Sequence, residues 1–229
     1  MLLPLIKKIH EVEGIERIRL GSLEPRIVTE EFAKELAAME KICPHFHLSL
    51  QSGCDATLKR MNRRYDTKEF EEKVQILRDA FKNPAITTDV ITGFPGETEE
   101  EFEELVDFVK EVRFDRLGAF CYSSEEGTPA SKMKGKVKKA VKQDRYNRLM
   151  ECQQSISREI NESRVGEIYD VLVEGVSDDG IFYYGRSYAE GPDVDGRIYF
   201  TANDPLSAGD MVKVKILIAE EYDLTGCQI

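Results

Sequence analysis

The sequence contains no tryptophan, three histidines and five cysteines among its 229 residues. The cysteines stand far apart, and none belongs to a CxxC or CxxxCxxC cluster; they are Cys43, Cys54, Cys121, Cys152 and Cys227. This dispersion argues against a local zinc site and a disulfide scaffold, and it predicts buried or half-buried thiols in a cytoplasmic protein. We therefore expect no metal ligands in this chain.

Long apolar runs are also missing. No run approaches the roughly 20 residues that a membrane-spanning helix needs, so we expect no membrane partner. The opening "MLLPLI" lacks a basic flank and is too short for a secretory signal. The net charge of −11 makes the chain as a whole a poor ligand for nucleic acid.

The charges are distributed unevenly along the chain. Residues 1–129 carry 18 basic and 26 acidic side chains, residues 130–164 carry 10 and 4, and residues 165–229 carry 4 and 13. This pattern predicts an α/β domain over 1–130, a basic connector helix over 131–164 and an acidic second domain over 165–229.

Strand-like and helix-like segments alternate in the first domain. The segments "IERIRLGS", "HFHLSLQSG", "AITTDVITG" and "RLGAFCYS" are typical of strands. A cap at Thr29 and capping boxes at Asp66/Glu69 and Thr98/Glu101 mark the starts of three helices. The alternation predicts a parallel sheet with helices outside it.

After Val165 the pattern changes to short strands separated by Gly, Asp and Pro turns. Val212, Val214, Ile216 and Ile218 alternate strictly with other residues, which indicates a strand. About 65 residues of this kind predict a small antiparallel barrel.

Polar residues occupy one face of the strand "HFHLSLQ". Phe46, Leu48 and Leu50 form one row, and the opposite row is His45, His47, Ser49 and Gln51. A polar row on a buried strand is costly unless it faces a wet cavity, so we place His47, Ser49 and Gln51 in a lumen that binds a polar ligand. Two hydrogen-bonded core histidines are favoured over a metal pair, because no third ligand lies nearby in the sequence.

A glycine turn follows the next strand in "DVITGFPGETEEEFEEL". No Lys-Ser/Thr follows the glycines, which excludes a Walker loop, and the acids lie in the first turn of a helix, where they complement its dipole. Asp89 could accept hydrogen bonds from a ribose or an amine, and Gly93 and Gly96 would allow close approach of a ligand. A simple strand-to-helix turn explains the same glycines, and both interpretations stay open.

The segments "IRLGSLEP", "HLSLQSG", "LKRMNRRY" and "TTDVITGFPGETEEEFEE" resemble the second half of a radical S-adenosylmethionine (SAM) domain of the methylthiotransferase family. The tail resembles the TRAM domain of that family, a small OB-like β-barrel. The resemblance implies the carboxyl-terminal part of a (β/α) partial barrel, in which a [4Fe–4S] cluster cleaves SAM reductively. A second cluster, in an amino-terminal domain, helps to deliver sulfur.

One departure from the family is large. The CxxxCxxC motif that normally holds the cluster does not occur in this sequence. We therefore expect the chain alone to bind no cluster and to be inactive, with no catalytic residue of its own. The resemblance assigns cofactor-binding roles toward SAM to a set of residues near strand ends: Ser22, Glu24, Gln51, Asp89, Gly93, Gly96 and Tyr122.

The resemblance divides along the chain. Up to about residue 90 the sequence is most similar to the branch that modifies threonylcarbamoyladenosine in tRNA. From about residue 106 it is most similar to the branch that methylthiolates an aspartate of a small-subunit ribosomal protein. This division predicts a chimera with its junction inside "GFPGETEEEFEEL".

The acidic tail favours the ribosomal-protein branch, since it should repel RNA and attract a basic protein. The partner is therefore predicted to be a small-subunit ribosomal protein, bound by a monomer. Acidity that merely aids solubility is the simpler explanation of the tail. tRNA remains an alternative substrate, and a non-catalytic remnant that binds SAM or the ribosome is a third possibility.

Overall fold

The computed structural model describes residues 2–229. The chain forms two compact units, the first ending at Gln153 and the second spanning Gln154–Ile229. The division falls inside helix α6 (Lys139–Ser163). Helix α6 takes up most of the predicted connector over 131–164, and the first eight residues of that range precede the helix.

The first unit alternates helices and strands as predicted. Its elements are α1 (Leu2–His10), α2 (Glu30–Ala37), β1 (His45–His47), α3 (Asp55–Arg60), α4 (Thr67–Ala80), β2 (Ala85–Thr92), α5 (Glu99–Val112), β3 (Arg116–Cys121) and the start of α6. The strands form a parallel sheet in the order β1–β2–β3, which confirms the predicted parallel arrangement.

The predicted strand "IERIRLGS" pairs with its neighbours at isolated points. Ile18 bridges Ile42 and Leu23 bridges Leu48, both in parallel. The intervening Gly21 and Ser22 are exposed. The segment is thus an extended edge beside β1 and not a continuous strand.

Side-chain caps start the helices where the sequence predicts them. Thr29 Oγ1 accepts a hydrogen bond from Phe32 N–H at 3.1 Å, and Thr98 and Glu101 form a complete capping box. Only half of the predicted box at α4 is present: Asp66 accepts from Glu69 N–H at 2.8 Å. The Glu69 carboxylate instead lies 3.9 Å from Arg26 Nε.

The core of the first unit lies between the sheet and its helices. The apolar row Phe46, Leu48 and Leu50 is fully buried, as the alternation predicts. Phe70 of α4 packs edge-on against Phe108, with ring centroids 6.1 Å apart. The other face of the strands consequently carries the polar residues.

The second unit contains a closed five-stranded barrel with the order β4–β5–β6–β8–β7. Its strands are β4 (Ile168–Val176), β5 (Tyr183–Arg186), β6 (Ile198–Thr201), β7 (Met211–Ala219) and β8 (Leu224–Gln228). The β6–β8 pair is parallel, so the prediction of a purely antiparallel barrel is wrong at that pair. The last strand closes the barrel beside β6 and runs in the same direction. Val171, Phe200, Val214 and Ile216 fill the interior.

Candidate functional site at the carboxyl edge of the parallel sheet

The ends of the three strands bring distant residues to one edge of the sheet. Gln51 N–H donates to Asp89 O at 2.9 Å, and Tyr122 N–H donates to Thr92 O at 2.9 Å. Because parallel strands end on the same side, Gln51, Gly93 and Tyr122 follow each other across this edge. The strand pattern of the sequence predicted ligand-facing positions for Gln51 and Gly93, and the family resemblance added Tyr122.

The polar face of the sheet carries a short hydrogen-bonded row. His47 Nδ1 lies 3.0 Å from Thr87 Oγ1, and His47 Nε2 lies 3.5 Å from Asp89 Oδ2. The Asp89 side chain is 43% exposed, so its carboxylate remains accessible to a ligand. His47 of β1 and Asp89 of β2 therefore lie side by side on one face of the sheet.

Ser22 and Glu24, the two predicted site residues before β1, have different surroundings. The hydroxyl oxygens of Ser22 and Ser49 lie 2.8 Å apart, which ties Ser22 to the polar row of β1. Glu24 Oε2 accepts from Arg26 N–H at 3.2 Å and caps a short 3-10 turn at Pro25–Ile27. Its carboxylate thus has a local structural role.

The segment that continues from β1 to Gln51 is held by a residue that sequence analysis missed. Gln51 lies beyond the end of β1, forms an isolated bridge to Val90 of β2 and adopts a left-handed conformation with φ 72°. The Tyr65 hydroxyl lies 2.5 Å from Ser49 O and 3.0 Å from Leu50 O, donating to this chain end. Burial raises the pKa of Tyr65 to about 12, so the phenol remains a donor. Tyr65 is the last residue of the "LKRMNRRY" segment, and this segment, which carries part of the family resemblance, could have pointed to it.

His45 lies on the same strand face but is deeply buried. It is 6% exposed, and neither ring nitrogen has a hydrogen-bond partner among the described residues. Burial lowers the pKa of His45 to about 3, assisted by the nearby charge of Arg19. The ring is therefore neutral at pH 7. Of the two histidines expected to be hydrogen-bonded in the core, His47 is hydrogen-bonded and the His45 ring is not.

The glycine turn after β2 has a specific backbone geometry. Gly93 and Gly96 have φ angles of 72° and 84°, which favour glycine. Gly93 N–H donates to Glu97 Oε1 at 2.8 Å. A Cβ atom on Gly93 would collide with the methylenes of Lys142, and one on Gly96 would lie 3.3 Å from Arg60 Nε. Both glycines are therefore required by the backbone of the turn and by its packing against Lys142 and Arg60. Their role toward a ligand stays a prediction.

A buried ion pair supports this turn. Arg145 Nη1 lies 2.7 Å from Glu97 Oε1, and the two side chains are 5% and 1% exposed. Burial raises the pKa of Glu97, opposing the Gly93 N–H and the Arg145 guanidinium, which lower it. Glu97 and Arg145 are 48 residues apart in sequence, so no local pattern could have paired them.

Tyr122 and Phe94 form an aromatic wall beside the turn. Their ring centroids lie 5.3 Å apart at 75°. The Tyr122 hydroxyl is buried without a hydrogen-bond partner in the described part of the chain. Lys142 Nζ donates to Tyr122 O at 2.7 Å. One lone pair of that carbonyl is thus occupied, and a second is available to another donor.

The hydrogen-bonding groups at this edge, mostly acceptors, fit a ligand that carries hydroxyl and amino groups. The accessible Asp89 carboxylate, the second Tyr122 carbonyl lone pair and the unpartnered Tyr122 hydroxyl could all bind such groups. Residues 2–229 contain no group of three or more His, Cys, Asp or Glu side chains placed to hold a metal.

Comparison with known proteins matches both units to described families. Residues 1–109 match the radical SAM superfamily, and residues 165–229 match the TRAM domain. The fold of the chain resembles coproporphyrinogen III oxidase (HemN) of Escherichia coli, described as a radical SAM enzyme. That match has a TM-score of 0.53 at 16% identity and covers 82% of this chain and 48% of that one.

Curated relatives are ribosomal protein uS12 methylthiotransferases of the RimO type. The protein of Acetivibrio thermocellus is 46% identical over 98% of this chain and 50% of its own length. That of Thermoanaerobacter is 47% identical over 99% of this chain and 51% of its length, and that of Clostridium botulinum strain Loch Maree is 40% identical over 97% and 49%. The chain spans about half the length of the curated relatives it matches.

These alignments bear on the predicted chimera. A match over 225 residues to one relative includes both sides of the predicted junction between residues 90 and 106. A single RimO-type sequence thus accounts for the whole chain, and the comparisons give no support to a junction. None of the helices in residues 2–229 is long and apolar enough to cross a membrane. In sequence, and in the order of a radical SAM match followed by a TRAM match, the chain is similar to the RimO-type methylthiotransferases.

Proposed function

We propose that the chain is part of a RimO-type enzyme that attaches a methylthio group to an aspartate of a small-subunit ribosomal protein. The observation that carries this proposal is the 40–47% identity to uS12 methylthiotransferases over at least 97% of the chain. The carboxyl edge of the sheet is the proposed binding site for SAM. The enzyme is proposed to act in the cytoplasm as a monomer.

Each group at the edge has a proposed task. When bound, SAM would supply the methyl group and, by reductive cleavage, a radical. Asp89 would accept hydrogen bonds from the ribose hydroxyls, because its carboxylate is exposed beside His47. The Tyr122 carbonyl would accept one from the adenine amino group through its second lone pair. Ser22, Gln51 and the glycine turn would line the pocket, with Glu24 at its margin.

Binding of SAM to the 229-residue chain tests this site. We expect Asp89→Asn to weaken binding about tenfold, because loss of a charged hydrogen-bond partner costs about 1.5 kcal/mol or more. Asp107→Asn is the matched control, since Asp107 is an exposed residue of α5. Equal affinities of the two variants in an NMR titration would contradict the assignment.

The cluster ligands are proposed to lie outside these 229 residues, which would leave the chain inactive alone. The support is the missing CxxxCxxC motif together with the wide separation of the five cysteines. Anaerobic reconstitution with iron and sulfide should give no stoichiometric cluster. About four irons per chain, with the visible spectrum of a [4Fe–4S] cluster, would refute this part of the proposal.

The barrel of the second unit is the proposed contact for a basic protein. A cavity of about 380 Å³ on its surface is lined by Asp178, Asp179, Tyr184, Tyr199 and Arg197, among others. Hydrogen bonds from the Ser177 hydroxyl and from Ile181 N–H lower the pKa of Asp179, which keeps it ionised. Two carboxylates beside aromatic rings suit a lysine or arginine side chain of the partner.

A tRNA substrate is the second candidate, and the basic segment is the observation that favours it. Its arginines are engaged within the protein: Arg145 and Arg148 pair with glutamates near the start of α5. The exposed cations are instead lysines at and just before the start of α6, namely Lys132, Lys134, Lys136, Lys138 and Lys139. Phosphates would therefore meet this short lysine segment and not the helix face.

Binding of the chain to purified uS12 and to tRNA, measured across salt concentrations, separates the candidates. We expect the chain to bind uS12, and the double variant Asp178→Asn/Asp179→Asn to bind it more weakly. The control Asp193→Asn/Asp204→Asn removes two exposed carboxylates elsewhere. The affinity for uS12 should fall about tenfold more in the first double variant than in the control. tRNA binding that is tight and depends on the lysine segment would favour the second candidate. SAM binding without turnover, even after the missing segments are supplied, would indicate a non-catalytic remnant.

A further inference from the structure

In the first turn of α6, Lys142 contacts both the glycine turn and the end of β3. The Lys142 ammonium donates to Tyr122 O at 2.7 Å and lies 5.1 Å from the centroid of the Tyr122 ring. The Thr92 hydroxyl donates to the Lys142 carbonyl at 3.4 Å. The methylene stem of Lys142 lies against Gly93, at the position where a side chain would begin.

The neighbouring contacts fix the same turn from the same side. Arg145, one helical turn after Lys142, donates to both the carboxylate and the carbonyl oxygen of Glu97, at 2.7 and 3.2 Å. Gly96 N–H donates to Gly135 O at 2.8 Å. The turn is thus braced along its length by the segment that leads into α6 and by the start of that helix.

Lys142 differs from the other lysines of this segment. It is half-buried, whereas Lys138 and Lys139 are exposed. Its ammonium bridges between a carbonyl and an aromatic face, a geometry in which a cation gains from both groups. The hydrogen bond to Tyr122 O also restricts the orientation of that carbonyl, because rotation of the peptide plane would break the bond.

We propose that Lys142 is a positioning residue for the adenosyl part of SAM. It holds the Tyr122 carbonyl and the Gly93 backbone at the separation that the cofactor needs, and it acts through them without being a catalytic residue. This inference rests on the proposed binding of SAM at this edge. Pre-organisation of this kind reduces the ordering cost of binding.

The test compares Lys142→Met with the control Lys139→Met. Both remove one ammonium from the first turn of α6, but Lys139 makes no contact with the turn that the structure describes. We expect Lys142→Met to speed hydrogen exchange at the Gly93 and Gly96 amides about tenfold and to weaken SAM binding about tenfold. Lys139→Met should change neither quantity more than about twofold.

Two further results keep the outcomes distinct. If the wild-type chain fails to bind SAM, the proposed function and the positioning role of Lys142 both fail. This holds even if hydrogen exchange shows that Lys142 stabilises the glycine turn. If the wild type binds SAM and Lys142→Met binds it equally well, only the positioning role fails. Unchanged exchange in β7 shows that the variant is folded, and Lys142→Arg, which keeps the cation, should recover most of the affinity.

Discussion

The two units each bury one arginine–glutamate pair, but the pairs support different structures. In the first unit Arg145 and Glu97 hold a glycine turn at the open edge of a sheet. In the second unit Arg164 Nη1 lies 3.1 Å from Glu190 Oε1, and Glu190 also accepts from Ser187 N–H and Oγ–H. The same chemistry thus stabilises a proposed ligand site in one unit and a corner beside a closed barrel in the other.

The surroundings of the two pairs explain the difference. The barrel has an apolar interior and no open strand edge, so its stability comes from its own closure. The parallel sheet has a polar face with an accessible Asp89, and its turn needs support from elsewhere in the chain. Polar groups at a strand edge must therefore be fixed by specific bonds, whereas a barrel can be fixed by packing.

Arg145→Met gives the largest expected effect on this comparison. Removing one partner of a buried ion pair leaves an uncompensated charge, at a cost of about 3–5 kcal/mol in unfolding free energy. Native-state hydrogen exchange should show this loss in β2 and β3. The control Arg164→Met should cause a similar loss in the barrel strands. If Arg145→Met destabilised the barrel amides equally, the two units would not be energetically separate.

Acid should destabilise the first unit through His45. The folded pKa is about 3 and the unfolded pKa is 6.5, so below pH 6.5 the unfolded state binds a proton that the folded state does not. The expected loss is about 2 kcal/mol between pH 6.5 and pH 5. His45→Leu should remove this part of the pH dependence in urea unfolding. An unchanged slope in that variant would show that His45 is not buried in its neutral form.

Thr98→Ala should have a smaller effect, confined to the start of α5. The Thr98 hydroxyl accepts from Glu101 N–H, and the Glu101 carboxylate accepts from Thr98 N–H. Loss of an N-cap costs about 1 kcal/mol. Thr29→Ala, at the simpler cap of α2, should cost the same or less. Urea unfolding checks both, and a larger loss at Thr29 would contradict the importance of the reciprocal bond.

The smallest expected effect belongs to the barrel surface. Lys213 Nζ lies 2.9 Å from Asp170 Oδ1, and both side chains are about three-fifths exposed. Exposed pairs contribute between about 0 and 1 kcal/mol, and salt screens them. Lys213→Met should therefore change the unfolding free energy by less than about 0.5 kcal/mol. A larger loss that persists in 1 M salt would show that the stem of Lys213 packs on the barrel.

Most of the fold could be predicted from local pattern. The caps at Thr29 and Thr98, the alternation around Phe46 and the strictly alternating Val212–Ile218 segment all locate elements that the structure contains. The errors concern strand pairing, which depends on the neighbouring strand. The edge segment near Ile18 pairs at isolated points, and β8 pairs in parallel with β6. Strand direction and edge pairing depend on which strand lies alongside, and local sequence does not encode that.

The sequence by itself determined which residues stand at strand ends, because parallel strands that alternate with helices must present those ends at one edge. It therefore located Gln51, Asp89 and Gly93 together. Only the tertiary structure decided what holds them, since Tyr65 reaches the site from the loop before α4, and Lys142 and Arg145 reach it from α6. Hydrogen bonds between residues 16 to 48 positions apart depend on how the chain folds back on itself, and no local periodicity records them.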